Sequence, residues 1–194
     1  YNHTLEITKR NGAIYMNRGI MYGAMGDYNA AIADLTRAIK ISPRMTLAHA
    51  NLGVAYNGLR DYAKAIVSFN RAIGIDSKCA GAYRSRGIAY GSMLKYTEAI
   101  ADFTKAIEIN PWNAAAYHDR GAVYGTMGDH ARAITDFTKA IEINPWNAAA
   151  YRNRAIAYRT MGDHARATVD FTRAAQLDPQ YAVHHNRGAP GNSR

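Results

Sequence analysis

The stretch Asp102–Tyr117 reads DFTKAIEINPWNAAAY, and the same sixteen residues return at Asp136–Tyr151. Asp102 and Asp136 lie 34 residues apart. A verbatim copy of that length means an internal repeat, and a repeat decides the fold before any local reading does. The stride extends along most of the chain. Pro43, Ser77, Pro111, Pro145 and Pro179 are spaced by it, as are Tyr22, Tyr56, Tyr90, Tyr124 and Tyr158. Ala31, Ala65, Ala99, Ala133 and Ala167 follow it too. So do Leu35, Phe69, Phe103, Phe137 and Phe171, and Ala38, Ala72, Ala106, Ala140 and Ala174. Five full units result, at 12–45, 46–79, 80–113, 114–147 and 148–181.

Each unit carries two helical patterns. In the fourth, Ala114, Tyr117, Gly121, Tyr124 and Met127 recur at steps of three and four and define one apolar face. Gly128 suits the left-handed residue that ends a helix, and Asp129 suits the cap of the next. Ala133, Ile134, Phe137, Ala140 and Ile141 form the apolar face of the second helix. Asn144-Pro145 ends it, because the residue before proline avoids helical geometry. Asn147 is placed to cap the helix that follows.

Local departures carry expectations. Asp27, Asp61 and Asp163 repeat the cap, but the third unit has Leu94-Lys95 in place of Gly-Asp, which predicts a looser corner. Ser77 replaces the proline after the second unit, which predicts a blunter junction. Residues 1–11 read as the end of a truncated preceding unit, with Lys9 at the proline position. Residues 182–194 read as a partial capping helix and a frayed tail, with His184, His185, Asn186 and Arg187 supplying polarity.

Composition narrows the function. Nearly half of the 194 residues are apolar, enough for a folded chain. No run of about 18 apolar residues predicts a membrane span. The first residues show no basic segment followed by an apolar one, so no signal peptide is expected, and the chain begins with Tyr1. The single cysteine, Cys79, excludes an intrachain disulfide and fits a reducing compartment, which favours the cytoplasm. The net charge of +9 invites a nucleic-acid reading. Unit by unit, however, it divides as +2, +2, +1, −1 and +2, with no run of four basic residues. That mixture disfavours nucleic acid as the partner.

In period and residue pattern the chain resembles the tetratricopeptide repeat family. The fourth unit shows the pattern as Tyr117, Gly121, Tyr124, Ala133, Phe137, Ala140 and Pro145. The resemblance covers 12–181 and implies an all-α fold: a right-handed α-solenoid of stacked antiparallel helix pairs, five full units with partial units at both ends. It also implies that the first helices line a concave groove. One departure stands out. Arg18, Arg86, Arg120 and Arg154 stand where the family usually has leucine, and Asp34, Asp102, Asp136 and Asp170 precede the aromatic position. The second unit has Leu52 and Ser68 instead, so both charges are present or absent together. This predicts a partly buried Arg–Asp pair inside each of the four units.

No nucleophile motif, phosphate loop or HExxH pattern occurs, so no enzyme activity, cofactor or metal is expected. His130 and His164 share a position with Tyr28, Tyr62 and Tyr96, which predicts aromatic packing. By the resemblance, the groove residues are Asn17, Ile20, Asn51, Arg84, Ser85, Ile88, His118, Asp119, Arg152, Asn153 and Ile156. They describe a small apolar floor with a polar edge that turns basic toward the C-terminus. The family's carboxylate clamp is not reproduced. Only Asn51 fits it, with Met16, Ile20, Gly81 and Ser85 at its other places. The expected function is a protein-interaction scaffold whose groove binds a peptide or helix of a partner protein. Asn17, Asn51 and Asn153 would bond its backbone, and Arg84 and Arg152 would meet acidic side chains. Two alternatives stay open: a self-assembling homo-oligomeric module, and the repeat region of a larger enzyme. Trp112 and Trp146 follow the corner prolines and are expected to cover the ends of neighbouring helices, or else to anchor a partner.

Overall fold

The computed structural model describes the backbone of residues 2–184 and the side chains of residues 11–181. Among the described residues every regular element is a helix. The chain divides into two compact units, Tyr1–Pro111 and Trp112–Arg194.

The first unit contains α1 (Asn2–Ala24), α2 (Tyr28–Ile41), α3 (Thr46–Gly58), α4 (Tyr62–Ile75), α5 (Ala80–Ser92) and α6 (Tyr96–Ile109). Each helix packs on the next as far as α6, and the odd-numbered helices also touch one another, α1 on α3 and α3 on α5. The second unit contains α7 (Ala114–Thr126), α8 (His130–Ile143), α9 (Ala148–Thr160) and α10 (His164–Leu177), followed by a 3₁₀ segment, Pro179–His184. It repeats the arrangement, with α7 on α8, α8 on α9, α9 on α10, and α7 also on α9. The expected tail residues 185–194 lie outside the described residues.

Small residues let the helices of a pair close on each other. Ala31, Ala65, Ala99 and Ala133, with Ala38, Ala72, Ala106, Ala140 and Ala174, are all fully buried. The facing glycines are obligatory at this separation. A methyl group on Gly53 would stand 2.6 Å from Phe69 Cε1, and one on Gly87 2.8 Å from Phe103 Cε1. The last pair has Ala155 at that position, and there Phe171 is only half-buried, with the Arg159 guanidinium 5.3 Å above its ring.

The caps follow the pattern read from the sequence. Asp27, Asp61, Asp129 and Asp163 accept the backbone N–H three residues on, and Asn113 and Asn147 do the same for α7 and α9. Each such cap contributes about 1 kcal/mol.

Three local expectations are corrected. The corner at Leu94-Lys95 is not opened: Lys95 has φ −85 and ψ 70, and Asp129 has φ −84 and ψ 73. Leu94 is instead forced to φ 60, and so is Arg60 in the second repeat, where the other three repeats use Gly26, Gly128 and Gly162. Lys95 also makes no side-chain cap. The junction at Ser77 is equally sharp, because the Asp76 carboxylate accepts the Lys78 N–H at 2.9 Å. Asn144 and Asp178 make the same bond to Trp146 N and Gln180 N, so this side-chain turn shapes the corner with or without proline. Finally, α1 runs unbroken from Asn2 through Lys9 to Ala24, so no inter-unit turn forms at Lys9. No proline stands there, and Gly12 is carried within the helix.

Candidate functional site

The odd-numbered helices carry the site, and a recurrent ion pair fixes their rotation. Arg86 Nε and Nη2 donate to Asp102 Oδ2 and Oδ1 at 2.7 and 2.6 Å, a two-pronged contact between α5 and α6. Arg18 with Asp34, Arg120 with Asp136 and Arg154 with Asp170 repeat it. The predicted pairing is therefore present in all four repeats that have the residues. In the second repeat Ser68 bonds the Lys64 carbonyl instead. Each Arg gains from its carboxylate partner, chiefly through the hydrogen bond, and its pKa is pushed above the ordinary value. Asp34 is correspondingly held below the usual carboxylate range by the Arg18 hydrogen bond. A second acceptor was not foreseen: Arg86 Nη1 reaches Asn70 on α4, and Arg154 Nη1 reaches Thr138 on α8, each sixteen residues earlier. The arginine thus joins its own helix pair to the preceding one.

In the first unit the expected groove residues stand on α1, α3 and α5. Asn17 is exposed on α1, and Ile20 is half-buried on the same helix. Asn51 spends its amide N–H on the Leu47 carbonyl of its own helix, at 2.8 Å. Arg84 and Ser85 are half-buried on α5, and Ile88 is exposed. Asn57 donates to the Ser85 carbonyl at 3.2 Å and ties α3 to α5. Its Oδ1 is buried without a partner.

In the second unit four of the expected polar residues join in one network across α7 and α9. Asn153 Nδ2 lies 3.0 Å from His118 Nε2, and His118 Nδ1 lies 3.4 Å from Asp119 Oδ1. Arg152 Nη1 donates to Asn153 Oδ1 at 3.3 Å, and its guanidinium stands 5.7 Å from the Tyr181 ring. The bonds fit a His118 tautomer that accepts from Asn153 at Nε2 and donates from Nδ1 to Asp119. Asn153 is therefore engaged at both ends of its amide and serves to set the positions of His118 and Arg152.

Beside this network is a hollow of about 350 Å³, walled by Ala122, Gly125, Thr126, Phe137, Ile156 and Ala157, with Asn153 and His130 at its border. Its surface is mostly apolar. It exists because Ala122 and Gly125 are both small. The corresponding pairs elsewhere are Ile20 with Gly23, Val54 with Asn57, Ile88 with Gly91, and Ile156 with Arg159. A methyl group on Gly125 would meet only Ala133 Cβ, at 3.8 Å, so the glycine is not required by packing.

His130 is half-buried, as expected for an aromatic stand-in, with Nδ1 buried and unpartnered, whereas His164 is exposed. Trp112 and Trp146 do not cover helix ends: they are 77% and 74% exposed. Trp146 carries the Arg173 guanidinium 5.9 Å from its ring. Among the described residues no cluster of three metal-ligating side chains occurs.

The sequence profile of the tetratricopeptide repeat matches residues 12–45, 46–79, 80–113, 114–147 and 148–181. No curated protein matches the chain. The solved structure of MamA is 29% identical, with a TM-score of 0.74, over 86% of this chain and 97% of that one. YrrB, described as a TPR protein with an unusual peptide-binding site, is 19% identical, with a TM-score of 0.70, over 94% of this chain and 95% of its own. PilF of Pseudomonas aeruginosa is 21% identical, with a TM-score of 0.81, over 91% and 85%. For the last two the likeness is one of fold.

Proposed function

The chain belongs to the tetratricopeptide repeat family, and from that premise we propose that it binds an extended or helical segment of a partner protein on the face of its first helices. The fold is that of a protein-interaction scaffold. The observation that carries the finer reading is the apolar hollow between Ala122, Gly125 and Ile156, bordered by the His118–Asn153–Arg152 network. An apolar side chain of the partner enters the hollow, where it loses contact with water and gains about 25 cal/mol per Å² of apolar surface buried. Arg152 and His118 face the polar part of the same segment, with Asp119 holding the imidazole. In the first unit Asn17, Asn51, Arg84, Ser85, Ile20 and Ile88 offer a binding face on its own first helices. That YrrB carries a peptide-binding site on a similar fold agrees with this reading.

The test fills the hollow. Peptides selected from a random library against the native chain are titrated calorimetrically against Gly125→Leu, whose helix loses nothing by the exchange. The expected result is a shared apolar residue in the selected peptides and a loss of about tenfold or more in affinity, equal to about 1.4 kcal/mol. Equal affinity for the filled variant would sink the reading.

A further inference from the structure

A row of cations along one edge of the first unit has no ion pairs among the described residues, and we propose that it docks an acidic peptide segment of a partner protein. The row consists of Arg37 and Lys40 on α2, Arg44 in the corner after it, Arg71 on α4, and Lys78 in the next corner. All are exposed. None has a salt-bridge partner among the described residues, whereas Arg18, Lys64, Arg86 and Lys105 of the same unit each have one.

The repeat places these cations side by side. In the second unit the Arg173 guanidinium stands 5.9 Å from the ring of Trp146, in the corner before its own helix pair. Three periods earlier the same two positions hold Arg71 and Arg44, and two periods earlier Lys105 and Lys78. By this register a corner cation falls beside a helix cation twice in succession. Arg37 occupies the same helix position one period before Arg71, and Lys40 follows it by three residues on the same face. The row thus has one helix rung on α2, with Arg37 and Lys40, and one on α4, with Arg71, and Arg44 and Lys78 stand in the corners that follow them. The nearby acids are already committed. Glu108 pairs with Lys105 at 2.9 Å, and the Asp76 carboxylate accepts the Lys78 backbone N–H. The row is therefore a strip of like charges within about one Debye length of each other.

The chemistry of the strip selects its occupant. In a polyproline-II-like segment carboxylates three residues apart share one face and recur at about 9 Å, so several can meet the strip at once. A single-stranded nucleic acid also needs open aromatic faces for its bases to stack on. The rings along this edge are covered: Tyr15 lies under Arg37 at 4.7 Å and Arg18 at 5.6 Å, and Tyr83 under Arg86 at 5.4 Å. His49 is held by the Pro43 carbonyl at 2.9 Å. A second copy of the chain offers no matching strip. Among its described carboxylates only that of Glu98 takes part in no cap, hydrogen bond or ion pair.

The proposal is tested by fluorescence anisotropy with a labelled (Glu-Ser-Ser)₄ peptide and with an oligo-dT of equal charge. Two doubles with the same change in net charge are compared. Arg44→Glu with Arg71→Glu removes the strip, and Arg60→Glu with Lys95→Glu alters the opposite turns. The expected result is salt-sensitive binding of the peptide, weakened roughly tenfold in the first double and within about twofold of native in the second. The Gly125→Leu chain should bind the peptide as the native chain does, because the strip is separate from the hollow. Equal loss in both doubles, loss in Gly125→Leu, absence of peptide binding, or tighter binding of the oligonucleotide each overturns the proposal.

Discussion

The Arg86–Asp102 pair offers a double-mutant cycle that the chain has already run once. Its side chains are 18% and 8% exposed, and its two bonds, at 2.7 and 2.6 Å, are joined by a third from Arg86 to Asn70. One repeat earlier, Leu52 and Ser68 stand at the same two positions, with the same helix bounds and with Ser68 satisfied by the Lys64 carbonyl. Asp102→Ser alone strands a half-buried guanidinium and is expected to destabilise by about 3 kcal/mol. Arg86→Leu alone strands a carboxylate that is nearly out of water, and about 3–5 kcal/mol is expected. The double variant reproduces the natural second repeat, so it should lie within about 1 kcal/mol of native. Its coupling energy then exceeds about 3 kcal/mol. In thermal melts followed by circular dichroism, a chain of this size loses roughly 2–4 °C per kcal/mol. Each single variant should therefore fall by about 6–12 °C or more, with the double near native. If the double falls by the sum of the singles, the pair is not a coupled unit, and the reading of these four repeats is wrong.

Other consequences follow from the same geometry. Leu94→Gly combined with Lys95→Asp relieves a left-handed leucine and restores a cap, so the melting temperature should rise, by about 1 kcal/mol for each change; no gain would contradict the strain argument. Gly53→Ala sets a methyl group 2.6 Å from Phe69 and should cost about 1–3 kcal/mol, whereas Gly125→Ala should be neutral or mildly stabilising in the same urea titration. The cap carboxylates of Asp61, Asp129 and Asp163, and that of Asp34, lie below their ordinary pKa through hydrogen bonds from Lys64, Arg132, Arg166 and Arg18. A depressed carboxylate stabilises the fold above its unfolded pKa of about 3.9, and that stability is lost as pH falls through the folded value. Melting temperature should therefore hold from neutral pH down to about 5 and drop below about 4, and a loss centred near pH 6.5 would assign the effect to histidines instead.

Most of the fold was legible because a repeat states each rule five times. The spacing of Ala133, Phe137 and Ala140 and the Gly-Asp corners placed helices and caps, and the joint presence of Arg and Asp predicted a contact sixteen residues apart. Where the reading failed, one residue type had been taken as the cause of a geometry that several can produce. Leu94 and Ser77 suggest altered corners, yet the largely exposed Leu94 takes the left-handed conformation that glycine has elsewhere, and the Asp76 carboxylate shapes the second. Lys9 stands at the proline position, but it has no ring to block a helix, and α1 runs on through it. At the site, the sequence indicated the face but not its shape. His118, Asp119, Arg152 and Asn153 were named and do meet. The hollow arises from what is missing at Ala122 and Gly125, and small side chains attract little notice in a list of binding residues. The simultaneous smallness of those two positions, unique to the fourth repeat, was the available signal.

Proton–nitrogen correlation spectra of the labelled chain, recorded while a selected peptide is titrated in, test the central claim most directly. The amides of Ala122, Gly125, Asn153 and Ile156 are expected to shift first and saturate together, while those on the outer side of α8 and α10, such as Thr135 and Val169, stay in place. Shifts confined to α8 and α10, with Gly125 and Ile156 unmoved at saturation, would contradict it.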